Sequence, residues 1–73
     1  MTVFSKEELV AICIYKELIA EEMLNRATRR GSQTVQSLIN DAKRLAKNSG
    51  RLNWDREELE KEIINVNIPS NFF

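Results

Sequence analysis

The sequence predicts a small all-α domain of three helices with a long first helix, and three observations carry that prediction. Ser5-Lys6-Glu7-Glu8 and Asp55-Arg56-Glu57-Glu58 both have the form of a helix start, while Gly31, Gly50 and Pro69 are the only glycines and the only proline. Between these marks apolar residues recur at helical spacing. No stretch holds the alternation of a half-buried strand.

The first helix begins at Ser5, whose hydroxyl is placed to accept the Glu8 amide while the Glu8 carboxylate reaches back to the Ser5 amide. Phe4 and Leu9 have the spacing of a hydrophobic staple. Nothing breaks the pattern before Gly31, and Arg26, Arg29 and Arg30 suit the negative end of the helix dipole, so the helix is expected over about residues 6–30. For the second helix, Ser32 or Thr34 is the cap, and Val35, Leu38, Ile39, Ala42, Leu45 and Ala46 form one apolar face over about 34–48. Gly50 is available for a left-handed conformation at its end. The third helix starts at Asp55, with Glu58 completing a second capping box and Trp54 set to staple on Leu59. Its apolar positions Leu59, Ile63 and Val66 carry it over about 55–66, before Pro69, which disfavours helix in the preceding residue. Residues 1–68 are expected as one domain and 69–73 as an extended C-terminal tail. Ile63–Ile68 has strand-like composition, but a lone strand has no partner to pair with.

Composition narrows the ways such a chain reaches stability. A domain of 73 residues buries only about 60% of the surface its unfolded chain exposes. Cys13 is the only cysteine and histidine is absent, so neither an internal disulfide nor the common Cys and His zinc sets can form. Regular packing and self-association remain. Cys13 itself reads as a small core hydrophobe. The N-terminal segment carries acids where a secretory leader is basic, and the apolar run Leu9–Tyr15 is far shorter than the ~20 residues of a membrane helix. The expectation is a soluble, cytoplasmic protein with no membrane contact.

Chemistry-bearing patterns are sparse. Glu17, Glu21 and Glu22 cluster on the first helix, but Asn25 stands where carboxylate metal sites place histidine, and a solvated acidic face is the simpler account. No nucleophile and base can be matched and no phosphate loop is present. No enzyme and no cofactor is therefore expected. Arg29-Arg30-Gly31-Ser32 resembles a basic-directed phosphorylation site, although the capping role accounts for Ser32.

Two binding surfaces follow from patterning. The net charge of zero hides an acidic first segment, a basic middle from 26 to 51 and an acidic end. A basic helix between acidic ones explains this through weak surface pairing. If nucleic acid is the partner, Arg29, Arg30, Lys43, Arg44, Lys47 and Arg51 are the contacts, since the acidic third helix is repelled by phosphate. The stronger pattern is on the first helix. Leu9, Ile12, Cys13, Ile19, Ala20, Met23, Leu24 and Ala27 form a main stripe for the other helices to cover. A second stripe of Val10, Ala11, Ile14, Tyr15 and Leu18 exceeds what two short helices enclose. The expectation is that it binds another protein, as a homodimer or with a different partner. The competing account has Ile68, Phe72 and Phe73 folding back over it. The function expected is a small non-catalytic interaction or regulatory protein.

Overall fold

The computed structural model describes residues 3–28, 31 and 33–73. Helix α1 spans Lys6–Ala27, α2 spans Val35–Ala46, a 3₁₀ turn occupies Gly50–Asn53, and α3 spans Arg56–Glu62. It is an all-α domain with a long first helix. At 1.5 Å per residue α1 is about 33 Å long, α2 about 18 Å and α3 about 10 Å. The long dimension of the molecule is 37 Å, so α1 sets its length and the other helices cover parts of it.

The start of α1 is the expected capping box. Glu8 N donates to Ser5 Oγ at 3.1 Å and Ser5 N donates to Glu8 Oε1 at 2.7 Å. Its end comes earlier than expected. The helix stops at Ala27 with Thr28 as cap, and the Thr28 hydroxyl donates back to the carbonyls of Leu24 and Asn25, each at 3.2 Å. The expected roles of Arg29, Arg30 and Ser32 lie outside the described residues. Thr34 caps α2, its hydroxyl accepting from Ser37 N at 3.1 Å.

Gly50 does not take the left-handed conformation. Instead α2 tightens through bonds from Asn48 N to Leu45 O and from Ser49 N to Ala46 O, both 3.3 Å. Ser49 then caps the 3₁₀ turn by accepting from Arg51 N at 3.1 Å. The second capping box is corrected too. Asp55 has the extended backbone of a cap, but its side chain makes no capping bond. Trp54 is half exposed, its ring lying 5.4 Å from the Arg51 guanidinium carbon.

Helix α3 ends at Glu62 rather than Val66. Ile63, Ile64 and Val66 are β-branched and Asn65 competes for backbone bonds, so without deeper burial this run lacks the propensity to continue a helix. It forms turns instead, with Val66 N donating to Ile63 O at 3.2 Å. The Arg56 guanidinium donates to Phe4 O and Lys16 Nζ donates to Glu62 O at 2.8 Å. These two ties lay α3 alongside α1 from its start to Lys16 and no farther.

The core joins Leu9, Val10, Ile12 and Cys13 of α1 with Leu38, Ile39, Ala42 and Ala46 of α2 and Leu59 of α3. Phe72 completes it. The last residues are therefore not an extended tail beside the domain. The chain turns at Ser70 and Asn71, with Phe72 N donating to Pro69 O at 3.1 Å, and Phe72 is 1% exposed.

Candidate interaction surfaces

The face predicted to bind a partner is already covered within one chain. Val10 (0% exposed), Ala11 and Tyr15 (5%) are buried, and Ile14 and Leu18 are partly buried against the same core. Phe72 meets Tyr15 edge-on with ring centroids 5.2 Å apart, Phe73 lies 4.6 Å from Phe72, and Phe4 lies 5.5 Å from Phe73. Val10, Ala11 and Tyr15 are thus buried within the single chain, with Phe72 of the same chain against Tyr15. The physical reason is that a tethered aromatic ring buries this stripe without the entropy loss of association.

The uncovered face lies on the other half of the helix. Met23 is 66% and Leu24 64% exposed, and Ala20 and Ala27 are exposed beside them. Their spacing of three, four and seven residues sets them on one side of α1. These residues belong to the main stripe that the other helices were expected to cover. They fail to, because α3 runs beside α1 only as far as Lys16. Of the main-stripe residues beyond Cys13, Ile19 alone packs partly against the core. The turn following Glu62 carries Ile64, which is also exposed.

What fixes the far half of α1 is polar. Glu22 is buried, and its carboxylate accepts from Gln33 N at 3.0 Å and pairs with Arg26 at 3.5 Å. Glu17 pairs with Arg51, while Glu21 is exposed. Glu17, Glu21 and Glu22 therefore turn to different surroundings. Among the described residues no group of three or more Asp, Glu, Cys or His side chains is gathered as metal ligands would be. Cys13 is buried with its thiol directed at Leu59 O, 3.7 Å away. Burial pushes that thiol above its ordinary pKa, against the reactive thiolate.

Among the described residues, the basic side chains of the middle segment do not gather into a free patch. Lys43 is half-buried, with Nζ 5.5 Å from the centroids of both Phe72 and Phe73. Arg44 pairs with Asp41 at 3.4 Å and Arg51 with Glu17. Lys47 is exposed, and Arg29 and Arg30 lie outside the described residues. An open groove of about 440 Å³ runs past Phe73 over Ala11 and Ala46, with Lys47 and Glu7 at its rim. No described helix is long and apolar enough to cross a membrane. Comparison with protein-family models, curated proteins and solved structures yields no match.

Proposed function

We propose that this chain is a small non-catalytic protein-binding module that works as a homodimer, pairing through the outer half of α1. The observation that carries this reading is the exposed side formed by Ala20, Met23, Leu24 and Ala27 where α3 stops short. Small residues at Ala20 and Ala27 let a second helix approach closely, and Met23 and Leu24 supply apolar area between them. A two-fold arrangement lets one patch serve both chains. Met23 and Leu24 of two copies contribute about 4–8 kcal/mol before the cost of association, which sets a weak and reversible dimer.

Sedimentation equilibrium tests it. The wild-type chain is expected to self-associate at tens to hundreds of micromolar. Met23→Glu with Leu24→Glu is expected to remain monomeric with unchanged helical circular dichroism, because both side chains lie outside the core. A wild-type chain that stays monomeric throughout that range defeats the reading.

A further inference from the structure

The stripe on the inner half of α1 is closed by a segment that belongs to no helix. Phe72 is the largest of the fully buried side chains. Its ring sits against Tyr15, Phe73 lies at the surface against Phe4, and Lys43 stands over both rings. One residue earlier, Asn71 Nδ2 donates to Gln36 Oε1 at 2.8 Å. The cleft between α1 and α2 therefore holds three consecutive side chains, each in a different way. An amide is hydrogen-bonded, one ring is enclosed, and a second ring shares a cation with the first.

The backbone of this segment is tied only to itself. Among the described residues, the hydrogen bonds of its main chain are local, from Ile63 N to Glu60 O, Val66 N to Ile63 O and Phe72 N to Pro69 O. Its departure would break side-chain contacts but no ladder. Residues 63–68, which connect it to α3, form neither helix nor strand. Fully extended, those residues span about 20 Å, equal to the shortest extent of the molecule, 20 Å, a reach that lets the segment meet a chain packed against that side.

We propose that the α1–α2 cleft is a binding site for an Asn-Phe-Phe segment, and that its occupant in trans is the C-terminal segment of a second copy, exchanged reciprocally between two chains. The segment itself is the one ligand whose fit is visible residue by residue. Exchange preserves every one of those contacts and closes with two-fold symmetry. A tether this short holds the resident segment at an effective concentration in the millimolar range, so exchange emerges only when the chain approaches that concentration. The residues involved differ from the outer face of α1, so the two modes of association are separable.

The experiment uses full chains carrying Met23→Glu and Leu24→Glu, which silence the outer face. In that background Phe72→Ala empties the socket, and the probe is synthetic Pro-Ser-Asn-Phe-Phe at about 1 mM, the range set by the tether. The peptide is expected to raise the thermal midpoint by several degrees, while Pro-Ser-Asn-Ala-Phe leaves it unmoved. Should the Phe72→Ala chain be unfolded, the same peptide is expected to restore helical circular dichroism. Neither a shift nor a recovery overturns the site. With the native tail, the silenced chain is expected to form a dimer near 1 mM that Phe72→Ala abolishes. A chain still monomeric at that concentration overturns the exchange, and leaves the outer-face reading to its own test.

Discussion

The two halves of α1 are similar in apolar content and opposite in fate. From Leu9 to Cys13 every residue is buried, whichever way it points, because α2, α3 and Phe72 surround the helix there. From Ala20 to Ala27 the apolar side chains are exposed and the buried residue is an acid, Glu22. Coverage is set by the length of the neighbouring elements. Helix α2 is about half as long as α1 and α3 about a third, so one end of α1 is wrapped and the other is left with α2 alone. The covered end is a core, while the uncovered end is a surface available for recognition.

The largest test of this contrast is a pair of truncations. Phe72→Ala removes a fully enclosed ring and is expected to cost about 3–5 kcal/mol. That is comparable to the whole stability of a domain this size, about 4–11 kcal/mol, so the variant stands near unfolding. Met23→Ala, on the uncovered half, is expected to stay within about 0.5 kcal/mol of the wild type. Urea denaturation measures both. Equal losses would erase the distinction between the two halves.

Glu22 gives a smaller effect that tests how the outer half is anchored. Its carboxylate holds the amide of Gln33 across the connection to α2, whereas Arg26 is largely exposed and adds little. Glu22→Ala is expected to cost about 1–2 kcal/mol by leaving that donor unpaired, and Glu22→Gln less, because its amide oxygen still accepts. Amide exchange at Gln33 should quicken in Glu22→Ala while the Leu9–Cys13 amides remain protected. Protection at Gln33 unchanged from wild type would mean that the bond anchors nothing.

Much of this fold is legible in local pattern. The capping box at Ser5 and the break before α3 follow from local pattern and the structure places them accordingly, while of the α2 face Leu38, Ile39, Ala42 and Ala46 are buried and Val35 and Leu45 are exposed. What is not legible is non-local. Phe72 carries no periodicity, and its burial depends on a turn at Ser70 and Asn71 that brings it across to Tyr15. The second stripe of α1 was recognisable as surplus, yet whether Phe72 or another chain covers it is decided by chain geometry. The same holds for the uncovered residues. Met23 and Leu24 have the spacing of core positions, and they face outward because α3 reaches along α1 only to Lys16.

The smallest predicted effects compare the ends of the helices. Ser5 closes a reciprocal box at the foot of the buried half, where fraying would loosen Leu9 and its neighbours from the core. Ser5→Ala removes the acceptor of the Glu8 amide and is expected to cost about 0.5–2 kcal/mol. Thr28 stands at the other end, and its hydroxyl only shares carbonyls of the last turn, which solvent can satisfy. Asp55 has the same cap position as Ser5 in sequence terms but makes no capping bond. Thr28→Ala and Asp55→Ala are therefore both expected within about 0.5 kcal/mol of wild type. Urea midpoints of the three variants rank them, and a loss at Asp55 equal to that at Ser5 would show that its carboxylate caps α3 in solution. The contrast then would rest on the exposed outer half alone, since both helices flanking the core would be fixed equally at their starts.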